Sequence, residues 1–243
     1  MRAIPISDTM QNWTPETVQH VRHYLERQSP QAILRWGFDM FGPDIAMATG
    51  FGPSGVVLMH MLARLRPGAT VFYLDTGLLF DETYALRDAL AERYGIRFAR
   101  VEPELTVDEQ AAVHGEALWE RHPDRCCNIR KVQPLKRYLA GRSAWITGIR
   151  RDQVATRANA GVVEWDRAHG LVKLNPLAHW TEEELWTYIH IHELPYNPLH
   201  DQGYPSIGCW PCTRAVAPGE DVRAGRWAGR AKTECGIHLQ PAA

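Results

Sequence analysis

IAMATGFGPSGVVLMHMLARL, residues 45–65, reads as a strand, a turn and a helix in one stretch. IAMATG (45–50) is an apolar run of the length of a buried strand, and it runs into the glycine-rich GFGPSG. VVLMHMLARL follows as a helix apolar on most sides, and Pro53 suits a first helical position, where a missing N–H costs nothing. The same alternation continues outward. TVFYLDTG (70–77) is a second strand, DETYALRDALAERYG (81–95) a helix with acids first and Gly95 last, and RFARVEP (97–103) a third strand. KVQPLKRYLAG (131–141) is a short helix and SAWITGIR (143–150) a fourth strand. Strands alternating with helices predict an α/β fold: a mostly parallel sheet with helices on both faces. Ligands of such sheets sit beyond the carboxyl ends of the strands, which singles out GFGPSG, DTG and GIRRD.

Residues 14–40 are expected as an N-terminal helical segment, with Pro15 near its start. LVKLNPL (171–177) is a further strand, and Thr181 with Glu184 forms a capping box ahead of ELWTYIHIH. Pro195 and Pro198 end that helix, and from Tyr196 the chain is loop-like and rich in Gly and Pro. The expectation is one domain over 1–243, with an α/β nucleotide-binding core at 45–177 and a loop-rich C-terminal tail at 178–243.

The 243 residues carry a formal net charge of −1, which gives no basic field for nucleic acid. MRAIPISDTMQNWTPETV lacks the apolar stretch of a signal peptide, and no apolar run approaches the ~20 residues of a membrane span. A cytoplasmic protein without membrane or nucleic-acid partners is expected. There are five cysteines, Cys126, Cys127, Cys209, Cys212 and Cys235, an odd count that divides as four plus one. Cys209-Trp-Pro-Cys212 is a C-x-x-C, which by itself fits zinc, a redox pair or a cluster. Cys126-Cys127 is a tandem pair, for which ligation of one centre predicts a strained backbone; the alternative is two buried small hydrophobes. From spacing alone, cluster, zinc and plain burial all stay open. For Cys235, Lys232 and His238 would favour the thiolate and Glu234 would oppose it.

RCCNIRKVQPL (125–135), PYNPLHDQGYPSIGCWPCTRAV (195–216) and the ending ECGIHL resemble the assimilatory adenylyl-sulfate reductases of the phosphoadenylyl-sulfate reductase family, over about Ile45 to Leu239. The resemblance implies an adenine nucleotide α-hydrolase-like fold and one 4Fe–4S cluster per chain on Cys126, Cys127, Cys209 and Cys212. It implies Cys235 as the nucleophile in reduction of adenosine 5′-phosphosulfate to sulfite and AMP through an S-sulfocysteine, within cysteine biosynthesis. Thioredoxin or glutaredoxin is the implied reductant, and a homo-oligomer stays open. Family members without the four cysteines use the 3′-phosphorylated substrate, so their presence favours the unphosphorylated one.

For substrate binding the resemblance points to Lys131 of CC-x-x-R-K, Arg150 and Arg151 of GIRRDQ, Arg223 and Arg226 of VRAGRW, and His238. Gly50, Phe51 and Gly52 lie in a loop, GFGPSG, that resembles the family's phosphate-site loop and keeps its Phe51 and Gly52, and the resemblance places Leu74, Asp75 and Gly77 at the border of the adenosine. Two departures stand out. Gly50, Pro53, Ser54 and Gly55 replace hydroxyl and acidic positions of that loop, leaving backbone N–H groups at the helix start as anion donors. The linker GRWAGRAKTEC before Cys235 is shorter than the family's. Competing readings are reduction of 3′-phosphoadenosine 5′-phosphosulfate, a sulfur-transfer or ATP pyrophosphatase enzyme (whose S-G-G-x-D-S is absent), and a non-catalytic iron–sulfur or zinc redox-sensing module. Cys235 and the arginine pair argue against the last.

Overall fold

In the computed structural model, which describes residues 13–238, six strands form one sheet. They are β1 (Ile45–Ala48), β2 (Val71–Leu74), β3 (Phe98–Val101), β4 (Ala144–Ile146), β5 (Val163–Asp166) and β6 (Leu171–Leu174), in the order β3-β2-β1-β4-β6-β5. All neighbours are parallel except β5 and β6, which pair antiparallel with Val163 opposite Leu174. Residues 1–12 and Leu239 of ECGIHL lie outside the described residues. Among the described residues no helix is long and apolar enough to cross a membrane.

The sheet has apolar residues on both faces, as a covered parallel sheet requires. Ile45, Met47, Val71, Tyr73 and Ile146 belong to the larger core, packed by α1 (Pro15–Leu25), α2 (Pro30–Phe41), α3 (Pro53–Leu65), α4 (Asp81–Tyr94) and α9 (Glu182–Ile191). Ala46, Phe72 and Trp145 point the other way, into a smaller core with Leu135 and Leu139 of α8 (Gln133–Leu139). The capping box on α9 is present, with Glu184 N–H donating to Thr181 Oγ1 at 3.1 Å.

Three elements differ from the sequence expectation. Residues 14–40 form two helices, not one segment: Ser29 caps the second through the Ala32 N–H, and Pro30 cannot donate back into the first. β5 is an additional strand, and α5 (Val107–His114) an additional helix opened by a Thr106–Glu109 capping box. Two short helices, α6 (Leu118–Arg121) and α7 (Pro123–Cys127), complete the list.

Strand order reverses beside β1: β2 and β3 lie on one side, β4 and β6 on the other. The crevice at this switch point is where doubly wound sheets hold ligands. It is tight at its base. A Cβ on Gly148, just past β4, would stand 2.9 Å from Ser54 Cβ of α3, so no side chain fits there.

The turn after β2 is built around a buried carboxylate. Asp75 is 1% exposed and accepts from the Gly77 N–H (3.0 Å), Tyr84 Oη (2.7 Å) and Arg100 Nε (2.7 Å). Burial alone would raise its pKa, but those three donors outweigh it and hold the carboxyl below its ordinary value. Asp75 therefore contributes stability in full above its unfolded value of about 3.9, and loses it as pH falls through the lower folded value. Asp75→Asn is expected to cost about 1–3 kcal/mol in urea unfolding near neutrality. The deficit should shrink as pH drops below about 4; a deficit constant with pH would contradict this reading.

Candidate functional site

The tandem cysteines end α7, and the chain continues through a π-helical turn, Asn128–Val132, into α8. Pro134 has no N–H for the Arg130 carbonyl and its ring crowds it, so a wider turn relieves the clash. Gln133 N–H bonds back to the Asn128 carbonyl. Cys127 itself has ordinary helical angles, φ −61° and ψ −38°, which corrects the expected strain: adjacent cysteines need none on a helix. Cys126 with Arg130, and Cys127 with Lys131, are each four apart, so the pairs share one side of the helix.

Cys209 and Cys212 come from the tail, on a short 3₁₀ turn at Trp210–Cys212. That loop is fastened to the turn after β2. Trp210 N–H donates to the Leu78 carbonyl at 2.8 Å, and Thr76 Oγ1 lies 3.3 Å from Cys209 Sγ. All four thiols line one small cavity, together with Arg130, Lys131, Trp119, Trp227, Leu78 and Pro123. Trp210, about half exposed, tilts against Trp119 at the cavity edge, with ring centroids 6.2 Å apart. Burial raises the Cys126 and Cys212 thiols and pushes Cys127 up to about 12. Cys209 goes the other way: burial is outweighed by Lys131 and the Thr76 hydroxyl.

Lys131 is held protonated by Cys209, Cys235 and Cys127 despite burial. Arg226 donates to Ser206 Oγ and the Ile207 carbonyl, both at 3.3 Å, and its guanidinium lies 4.6 Å from the Trp227 ring centroid. Arg226 Nε and Trp227 Nε1 are buried donors without an acceptor among the described residues. Among those residues no three His, Cys, Asp or Glu side chains form a single-ion site. The donor set still fits a sulfur-ligated anionic group: four thiols, two nearby cations and two idle N–H donors.

Cys235 reaches this place. It is half-buried, within electrostatic reach of Cys127, Lys131 and Arg226. The short linker therefore suffices. The expected influences on its thiol change, however. Lys232 is paired with Asp124. Glu234 is taken up by Arg157 and Arg223, so its charge is compensated. His238 is stacked on Trp145 with ring centroids 5.6 Å apart; burial, then Lys173 and Arg157, drive its pKa far down, so it is neutral and supplies no cation.

The remaining sequence candidates divide. Arg223 lies near Arg226 and holds the segment ahead of Cys235, with its guanidinium bonded to the Thr233 carbonyl at 2.7 Å. Arg150 donates to Ser54 Oγ (2.9 Å) and Asp152 (2.9 Å), at the start of α3. Arg151 turns away, to Glu26 of the α1 end (2.9 Å) and the Ala160 carbonyl (2.7 Å). Gly50 and Gly52 face open space, and Phe51 is buried against Tyr73 and Phe98. Leu74 ends β2, while Asp75 and Gly77 shape the turn after it, where a Cβ on Gly77 would meet Arg130 Nη2 at 3.2 Å. Sequence reasoning missed Arg130, Arg157 and Thr76. Arg130 was visible beside Lys131 in CC-x-x-R-K; Arg157 lies outside the stretches that carried the resemblance.

The phosphoadenosine phosphosulfate reductase domain profile matches residues 44–215. An adenosine 5′-phosphosulfate reductase of Salinibacter ruber is 54% identical over 230 residues, 94% of this chain and 91% of that protein. A phosphoadenosine 5′-phosphosulfate reductase of Gloeobacter violaceus is 48% identical, over 91% of this chain and 93% of its own length. The crystal structure of phosphoadenylyl-sulfate reductase from Candida auris in a phosphate complex superposes with a TM-score of 0.75 at 32% identity, covering 84% of this chain and 98% of that one. Candida glabrata FMN adenylyltransferase, 14% identical with a TM-score of 0.56, shares the fold alone. Sheet order, cysteine pairs and these matches together make the chain a member of the phosphoadenosine phosphosulfate reductase family.

Proposed function

We propose that the chain reduces adenosine 5′-phosphosulfate to sulfite and AMP, in assimilatory sulfate reduction for cysteine biosynthesis, with Cys235 as nucleophile. The observation that carries this reading is the Cys235 segment seated on the π-helical turn that borders the four-thiol cavity, with Gly236 against Val132, the residue next to Lys131. The chain works as one reductase unit: the core at 45–177 takes the nucleotide, and the tail at 178–243 brings Cys209, Cys212 and Cys235. Cytoplasmic location goes with this role.

The nucleotide would lie in the crevice beyond β1 and β4, over Gly50 to Gly52. The free N–H groups of α3 there can donate to a phosphate, because Gly52 caps the helix without a side-chain bond. Lys131, Arg223 and Arg226 offer cations to the sulfate end. The Cys235 thiolate attacks the sulfate sulfur, the S–O bond to AMP breaks, and the electron pair leaves with AMP. Cys235 then carries SO₃ on sulfur. One thiolate of a thioredoxin-type dithiol then attacks Cys235 Sγ, the bond from Sγ to SO₃ breaks and sulfite leaves, giving a mixed disulfide; the second thiol attacks the reductant's own sulfur in that bond, so the dithiol ends as a disulfide and Cys235 returns as a thiol. The two electrons come from the dithiol.

Cys126, Cys127, Cys209 and Cys212 would hold one 4Fe–4S cluster. Bound there, it would keep four thiolates deprotonated and place a fixed charge beside Lys131. The reduction described above draws no electron from it.

Serine at Cys126, Cys127, Cys209 or Cys212 is expected to abolish a bound iron content of about four per chain, along with activity. Colourless, active protein holding one zinc would overturn the cluster assignment. With reduced thioredoxin, kcat/KM measured by sulfite release should be well above that for the 3′-phosphorylated analogue. The Gloeobacter relative carries the name of the other activity, so equal or reversed preference would reassign the substrate and leave the thiol chemistry standing.

A further inference from the structure

Cys235 sits in a segment anchored on both sides. Before it, Glu234 is 9% exposed and is gripped by a two-pronged contact from Arg157, Nε to Oε1 at 3.1 Å and Nη2 to Oε2 at 3.0 Å. Arg223 adds a longer contact to the same carboxylate at 3.5 Å. After it, Gly236 has φ +95°, and a Cβ there would come within 3.2 Å of Val132 in the π-helical turn. Ile237 packs on the smaller core and His238 stacks on Trp145. One anchor is ionic, the other is packing.

The ionic anchor is joined to the nucleotide end of the sheet. Arg157 Nη1 donates to Gln153 Oε1 at 2.6 Å. The same oxygen accepts the Arg150 N–H at 3.1 Å, and the Gln153 amide donates to the Gly148 carbonyl at 3.3 Å. Gln153 therefore ties the loop after β4 to the arginine that grips the tail.

The chemistry proposed above asks two different things of Cys235. Attack on the sulfate needs the thiol held inside, against Lys131 and Arg226. Discharge needs a protein dithiol to reach Sγ in line, which a half-buried sulfur in a docked tail resists. We propose that Glu234 is a positioning residue for Cys235, and that its pair with Arg157 and Arg223 is a latch, closed for sulfur attack and open for discharge. This rests on the S-sulfocysteine reading. A carboxylate with little water around it and a guanidinium fork on it is firmly held while paired. Once the pair separates, both charges need water, so the segment moves out as a unit rather than slackening in place.

The test measures the two half-reactions separately on iron-replete protein. In Glu234→Gln, alkylation of Cys235 by iodoacetamide, read on the peptide containing it, should rise roughly tenfold, the loss expected for one charge-assisted contact. AMP release in the absence of reductant should slow by a similar factor. Sulfite release from preformed adduct on adding reduced thioredoxin should be as fast as in the wild type or faster. Iron content and the visible spectrum should not change. The exchanged pair Arg157→Glu with Glu234→Arg should recover part of the protection from iodoacetamide. Wild-type alkylation and AMP release in Glu234→Gln would overturn the latch. So would equal slowing of both half-reactions, which marks a merely structural contact. Alkylation needs no substrate, so it reads the latch even if the wild type proves unable to use adenosine 5′-phosphosulfate.

Discussion

Arg130 carries a full charge into a position 3% exposed, where only protein oxygens can solvate it. Its guanidinium donates to the Thr76 carbonyl, to the Leu105 carbonyl at 3.2 Å and to Gln110 Oε1 at 3.3 Å. Those groups belong to three segments: the turn after β2, the entry to α5, and α5 itself. Two of them also bear on the thiols. The Thr76 hydroxyl lies 3.3 Å from Cys209 Sγ, and Gln110 Nε2 points at Cys126 Sγ from 3.9 Å. One buried cation thus gathers both cysteine pairs around a shared wall. The π-helical turn that holds it lets Cys126, Cys127, Arg130 and Lys131 border the same cavity.

The tail is built on that wall. Gly236 rests against Val132 of the π-helical turn, and Lys232 pairs with Asp124 of α7. The segment that presents Cys235 is thus positioned by the helix that presents Cys126 and Cys127. Lys131, the tandem cysteines and the Cys235 segment thus meet at the π-helical turn, while Cys209 and Cys212 are fastened to the turn after β2 that Arg130 also holds. A change in the cysteine wall therefore bears on where Cys235 sits, as well as on what the four thiols hold.

The strands buried on both faces were legible in the sequence, since β1, β2 and β4 are short apolar runs ending in glycine turns. β5 was not. VEWD is an edge strand with only its end residues buried, so neither a continuous apolar run nor a clean alternation marks it. The capping box of α5, Thr106 to Glu109, stood in the sequence, but its helix buries little apolar surface and shows no periodicity. The five cysteines and Lys131 were legible through their motifs. The Arg157–Glu234 contact was not, because it joins residues 77 apart in the chain and neither side chain belongs to a metal or nucleotide motif. Arg150 and Arg151 looked equivalent in GIRRD; only the fold shows one turned to Ser54 and the other to Glu26.

In the proposed reaction Cys235, rather than any of the four wall thiols, takes the sulfur. Mass analysis of protein incubated with adenosine 5′-phosphosulfate and no reductant tests it most directly. The expected result is one added SO₃ group per chain at most, on the peptide containing Cys235, with AMP released in equal amount, and no adduct in Cys235→Ser that has kept its iron. An adduct on Cys126, Cys127, Cys209 or Cys212, or turnover by Cys235→Ser, would contradict it.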